Sequence, residues 1–264
     1  LAAWPTGLSA SAVEAFRNCP YRFFSRAVLR LREPDEMDTP AEKRHFGDWL
    51  HAALHRFHEA RQPDQDDVQA LHAAAEQALI ELALDPADML PFRAGLPAFV
   101  RGYLKWLRQH ERAGWHWDSG EQPLEVEPQA WSPLRLVGRI DRIDRHGEVR
   151  LIVDYKTGTD AGVRERLKDL SEDVQLPYYA ALLGVQDADA PVQGGYLALD
   201  EAEGPKWRAH DGLAASAVQL VTQLGDEWRR ARAGEPLQAL GAGSLCDHCE
   251  ARCLCRRDEW TRTP

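Results

Sequence analysis

The sequence is short of lysine, methionine and long apolar runs. Only five lysines (Lys43, Lys105, Lys156, Lys168 and Lys206) stand among its 32 basic residues, and only two methionines among its 264 residues. No stretch approaches the roughly 18–20 consecutive apolar residues that cross a membrane. No secretory signal is legible before the first predicted helix, so neither a membrane partner nor export is expected. Positive charge is scarce overall: the formal net charge is −10, which argues against coating nucleic acid through bulk charge. A local basic groove stays compatible with that balance. Five cysteines, an odd number, disfavour a disulfide framework and favour metal ligation in a reducing compartment, here expected to be the cytoplasm. The chain starts at Leu1 rather than Met, so a segment of a longer protein is expected.

A hydrophobic content of 44% and an aromatic content of 8% suit a packed globular chain. The other 27 basic residues are arginines, a side chain suited to bidentate phosphate contacts, although codon bias gives the same composition. In "SASAVEAFRNCPYRFF", Ser11 and Glu14 are expected to form a capping box, with Val13 and Phe16 opening an apolar face. Pro20 should break that helix directly after Cys19. Phe46, Leu50, Leu54 and Phe57 mark a second helix, and residues 66–84 and 95–113 read as two more. The period then changes to that of strands in "PLEVEPQAW", "LRLVGRIDRID" and "EVRLIVDYK", with a tight turn at "RHGE". A helical piece, "DVQLPYYAALLG", the strand "VQGGYLALD" and a helix over about 213–233 follow. A Gly/Pro-rich linker then leads into a cysteine tail. Helices, a three-strand meander, then helix, strand and helix predict one mixed α/β domain with an N-terminal helical part.

The run "LIVDYKTG" carries Asp154 and Lys156 at the end of an apolar strand. Charges leaving a core are costly unless paired or bound to metal. Alternation puts the two side chains on one face. With His146 and Gly147 as the turn centre, Arg139 faces Asp154 and Asp141 faces Ile152, leaving Asp141 and Asp154 as diagonal neighbours roughly 7–8 Å apart. Two carboxylates so placed suit Mg²⁺ or Mn²⁺; the more common origin of such a pair is a cross-strand surface network with Arg139 and Lys156. His51, His55 and His58 share one helix face, which reads either as a zinc site or as a polar face. Arg17, Arg22, Arg26, Arg30 and Arg32, interleaved with Tyr21, Phe23 and Phe24, read either as a single-strand path or as an amphipathic helix with a core stripe.

"GRIDRID" followed by "LIVDYKTG" resembles the PD-(D/E)XK nuclease superfamily, in its RecB-like branch. "QLPYYAALL" resembles that branch's Gln-x-x-x-Tyr helix and "FGDWLHAAL" its upstream Gly-x-x-x-His, so four motifs stand in order over residues 47–179. The proline of the superfamily name has no clear counterpart near Asp141. The resemblance implies a restriction-endonuclease-like core sheet flanked by helices. It also implies metal ligation by His51, Asp141, Asp154 and the Tyr155 carbonyl, catalysis by Lys156, and orientation by Gln175 and Tyr179.

"CDHCEARCLC" offers Cys246, Cys249, Cys253 and Cys255, with Cys19 remote. Clustered thiolates with one distant partner suit zinc or an iron–sulfur cluster. The spacing, with the flanking "CRRDEW", resembles the AddB-type iron–sulfur nucleases, extending the likeness over nearly the whole chain. By that resemblance Cys19, Cys246, Cys249 and Cys255 hold a structural [4Fe–4S] cluster, leaving Cys253 as a competitor for the last position. A single domain over 1–264 is then expected: a mainly helical part over 1–118, a nuclease core over 119–235 and a tail over 236–264 packing back on Cys19. The implied function is a Mg²⁺-dependent deoxyribonuclease module of a bacterial DNA repair helicase–nuclease, with DNA and a helicase subunit or region as partners. The alternatives are a catalytically inactive DNA-binding or scaffold module, and a zinc-binding interaction protein. With no Walker A pattern in the sequence, any ATP-driven motor is expected elsewhere.

Overall fold

The structure is a computed structural model. It describes residues 4–31, 43–128, 132, 134–170, 172–186, 191–199, 204–240, 243–247, 249–256 and 259. Arg32, from the predicted basic stripe, lies outside them. The chain opens with strand β1 (Gly7–Leu8), helix α1 (Ala10–Asn18), the short helix α2 (Pro20–Phe23) and a π turn (Phe24–Val28). Cys19 sits in extended backbone at the break, with Pro20 starting α2. The expected capping box is corrected: Ser9 caps α1 by accepting from Ala12 N, and Ser11 lies inside the helix.

Three longer helices follow: α3 (Lys43–Ala60), α4 (Asp67–Glu81) and α5 (Leu90–Arg112). Then come β2 (His116–Ser119), β3 (Pro123–Val126), β4 (Arg135–Arg139), β5 (Arg142–His146) and β6 (Val149–Lys156). Helices α6 (Asp160–Arg166) and α7 (Gln175–Gln186) lead to β7 (Val192–Ala198), β8 (Lys206–Ala209), α8 (Leu213–Arg232) and the short α9 (Arg252–Cys255).

The expected meander is split. "LRLVGRIDRID" is two strands broken at Ile140–Asp141, and they belong to different sheets. A three-stranded sheet runs in the order β1-β4-β3, and a five-stranded sheet runs β2-β5-β6-β7-β8. Strand β6 pairs antiparallel with β5 and parallel with β7. The hairpin turn falls at Gly147–Glu148, because His146 pairs with Val149. Arg139 therefore faces Pro123 rather than Asp154, and Ile143 rather than Asp141 faces Ile152. The offset is two residues in the partner, so the faces are kept.

Those faces divide the core. Leu151, Val153 and Tyr155 pack with Trp49, Leu50, Leu54, Tyr103 and Leu107 of α3 and α5. Ile152 packs on the other side with Leu176, Leu182 and Leu224 of α7 and α8. Period-2 alternation then carries Asp154 and Lys156 to the α7 side. Trp228 of α8 meets Phe16 and Phe23 edge-on, each at 5.9 Å, which locks the N-terminal helices onto the same layer. The whole is a mixed α/β fold with helices on both faces of the larger sheet.

Candidate active site

Asp154 is fully buried at the end of β6. Gln175, the first residue of α7, donates its Nε2 to Asp154 Oδ1 at 2.7 Å and accepts from Lys156 Nζ at 2.8 Å through Oε1. The amide thus bridges carboxylate and ammonium, which fixes its own orientation. Lys156 also ion-pairs with Asp154 Oδ2, an oxygen with no aligned hydrogen-bond donor. Tyr179 lies one turn along α7, with its hydroxyl 3.4 Å from Gln175 Nε2. Helix α7 can lie this close to β4 because Gly138 has no side chain. A Cβ there would sit 3.2 Å from Leu182 and 3.6 Å from Tyr178 and Tyr179.

Asp141 occupies the break between β4 and β5. Its Oδ2 accepts the Tyr155 backbone N–H at 2.8 Å, and its Oδ1 lies 3.4 Å from His51 Nδ1. Tyr155 thus joins the site through its backbone, and its ring meets the His51 imidazole edge-on at 5.6 Å. His51 comes from α3, whose Gly47 faces Thr157 just beyond β6. The three histidines part company. His58 is buried against Tyr103, at 2.6 Å, and stacks on Trp117, while His55 pairs with Glu59 at 3.6 Å. Of the three, His51 is the one that reaches Asp141.

A residue not foreseen from the sequence completes the group. Ligand atoms of His51, Glu121 and Asp141 lie within 4.8 Å of one another. Glu121 follows β2 in a left-handed backbone conformation (φ 52°), with its N–H on the Ile140 carbonyl at 2.8 Å. Strain of this kind in a non-glycine residue gathers at functional sites. Gly120 makes the approach possible, since a Cβ there would meet the Asp141 carbonyl oxygen at 2.5 Å. "SGEQP" carries no spacing signal toward Asp141, 20 residues on.

The carboxylates are pushed in opposite directions. Burial raises Asp154, the Lys156 ammonium opposes it, and Asp141 adds to the rise, leaving it at about 6. Burial also works against ionised Asp141, yet His51, Lys156 and the Tyr155 N–H hold it below the usual carboxylate range. Burial, then Asp141, lift Glu121. His51 is raised despite burial, because Asp141, Asp154 and Glu121 surround it with negative charge. An excess of carboxylate over base in a desolvated cleft is what a divalent cation would relieve. The donor set of one imidazole and two carboxylates, with the buried Asp154–Lys156 pair beside it, fits such an ion.

Beneath the site lies a second unforeseen feature. Arg142 is fully buried, donates Nε to Asp144 Oδ1 at 2.7 Å, and lies 2.6 Å from His58 and 3.0 Å from the Tyr103 hydroxyl through Nη1. Trp106 and Trp117 flank its guanidinium at 5.5 and 5.7 Å. His110 closes on the far Asp144 oxygen at 2.7 Å, and Tyr103 passes the chain to the Tyr155 hydroxyl at 3.1 Å.

The cysteine tail returns toward the N-terminal helices. Glu250 binds Arg22 at 3.0 Å and Arg26 at 3.0 Å. Burial raises the Cys249 thiol, and Glu250 and Cys19 contribute. Cys19, Cys246, Cys249 and Cys255 are half-buried and Cys253 is exposed. Arg17 pairs with Glu172 at 3.5 Å and Phe23 is buried. Much of the basic stripe is therefore spent on internal ion pairs, which favours the amphipathic-helix reading over the single-strand path.

A family model of the PD-(D/E)XK nuclease superfamily matches residues 7–256. The chain belongs to that superfamily. Among relatives of this PD-(D/E)XK chain are two ATP-dependent helicase/deoxyribonuclease subunits B. The one from Heliobacterium modesticaldum is 27% identical over 224 residues, covering 74% of this chain and 18% of its own. The one from Clostridium botulinum is 27% identical over 190 residues, covering 59% and 16%. An uncharacterized protein of Rickettsia conorii is 24% identical over 168 residues, covering 59% and 20%. The chain therefore spans a fifth or less of these relatives. A crystal structure from Eubacterium rectale, provisionally assigned as an exonuclease, shares the fold. It aligns with a TM-score of 0.52 at 14% identity over 98% of this chain and 90% of that one.

Proposed function

We propose that this PD-(D/E)XK domain is a metal-dependent deoxyribonuclease, the nuclease module of a DNA repair helicase–nuclease. The observation that carries the reading is the meeting of His51, Glu121 and Asp141 within 4.8 Å of one another, with Asp141 held by the backbone N–H next to Asp154 and Asp154 ion-paired with Lys156. The names of the helicase/deoxyribonuclease subunits B support DNA as substrate and a helicase as partner. A Mg²⁺ or Mn²⁺ ion held by His51, Glu121 and Asp141, with Asp154 as a further proposed ligand, would act as a Lewis acid toward a phosphodiester and acidify a water.

The chain's own groups do the rest. Asp141 stays ionised and is aimed by the Tyr155 N–H. Lys156 presents positive charge where a scissile phosphate gains negative charge. Gln175 shares that ammonium with Asp154, and Tyr179 steadies the Gln175 amide. Cys19, Cys246, Cys249 and Cys255 are proposed to hold a structural [4Fe–4S] cluster that ties the chain's two ends together. The return of Glu250 to Arg22 and Arg26, which brings the cysteine tail onto the segment just after Cys19, supports this.

The test is cleavage of labelled linear DNA, single- and double-stranded, with Mg²⁺, Mn²⁺ or EDTA. Wild type should cut only with metal, and Asp154→Ala should not cut. A well-folded wild type that cuts no substrate would overturn the reading.

A further inference from the structure

We propose that Tyr196 is a positioning residue that holds the Lys156 ammonium toward the substrate through the face of its ring. The inference rests on the nuclease reading for the use made of Lys156, though not for the contact itself. Tyr196 lies on β7 in register with Asp154 and is fully buried. Lys156 Nζ stands 4.9 Å from its ring centroid, within cation–π range. The ring is clamped in turn: its hydroxyl donates to Asp173 Oδ1 at 2.6 Å, and Arg166 lies over the same ring at 5.7 Å. Burial and the Asp173 charge keep that hydroxyl protonated. Asp173 is itself buried, with Arg166 at 3.7 Å and His210 at 3.9 Å, and it stands two residues before Gln175. The platform and the amide that share Lys156 thus hang from one segment.

The chemistry explains the choice of an aromatic ring. A lysine has a flexible four-carbon stem and needs several contacts to hold one direction. Asp154 and Gln175 supply two, both from the same side chain pair. A further carboxylate would neutralise the charge that a phosphate needs. A ring face attracts the ammonium electrostatically without offering a competing anion.

The experiment pairs two variants with two readouts. On labelled linear DNA with Mg²⁺, Tyr196→Leu should lower kcat about tenfold with little change in KM. Tyr196→Phe, which keeps the ring and loses the Asp173 bond, should restore most of that rate while melting lower than wild type. Independently of activity, NMR of ¹³C-lysine-labelled protein reads the five lysines. The Lys156 ε-methylene, assigned by its loss in Lys156→Arg, should be shifted upfield by the ring in wild type and Tyr196→Phe. In Tyr196→Leu it should revert. Unchanged kcat in Tyr196→Leu, or equal losses in Phe and Leu variants, would overturn the proposal. Wild type that cuts nothing would sink the nuclease reading alone, and the lysine shift would still decide the contact.

Discussion

The Tyr155 backbone N–H donates to Asp141 Oδ2 at 2.8 Å, bridging the strand that carries Asp154 and the break that separates the two sheets. Asp141 is thereby aimed with its other oxygen toward His51. Replacing Asp141 by Ala should reduce cleavage by about 10²-fold or more. It should also return the His51 imidazole toward its ordinary titration, since Asp141 is the main group raising it. Imidazole NMR checks the second outcome, and a His51 titration that does not move would break the link.

Glu121 is the residue the motifs miss. Glu121→Gln should weaken Mg²⁺ activation of cleavage about 10–100-fold, the usual effect of disturbing a metal's surroundings. The concentration of Mg²⁺ giving half-maximal rate measures it. An unchanged value would remove Glu121 from the site.

Asp154 is held at about 6, above its unfolded value near 3.9. A group raised in the fold adds stability that is full below the unfolded pKa and is lost as pH climbs through the folded one. Without divalent cations, Asp154 should cost the protein about 2 kcal/mol between pH 4 and pH 7. Asp154→Asn should escape that cost. The stability gap between variant and wild type, measured by urea unfolding, should therefore widen over that range and then level off.

Arg142 and Asp144 are both fully buried and paired at 2.7 Å. Removing one partner strands the other's charge in the core. Arg142→Leu should cost about 3–5 kcal/mol, read by denaturant unfolding. A loss under 1 kcal/mol would show that Asp144 finds its donor in His110 alone.

For the cysteine frame, protein made anaerobically with ample iron should be brown, and Cys19→Ala should lose colour and melt lower. Cys253→Gly should leave both unchanged, because that thiol is exposed. A colourless preparation holding one zinc would overturn the iron–sulfur proposal.

The amino-acid sequence by itself determined the long helices, the strand that ends in Asp154 and Lys156, the mixed α/β class and the shared face on which those two residues emerge. Those features follow from local periods, 3.6 for the helices around Leu50 and Leu54 and 2 for Leu151 to Lys156, which neighbouring residues express without help. Tertiary structure alone decided the rest. It set the partner of each β5 residue, brought the His51 imidazole to Asp141, and brought Glu121 to Asp141 across 20 residues. It also buried Arg142 and drove Asp141 and Asp154 apart in acidity. Register, desolvation and charge coupling depend on groups distant in the chain, so no local pattern of residues could express them.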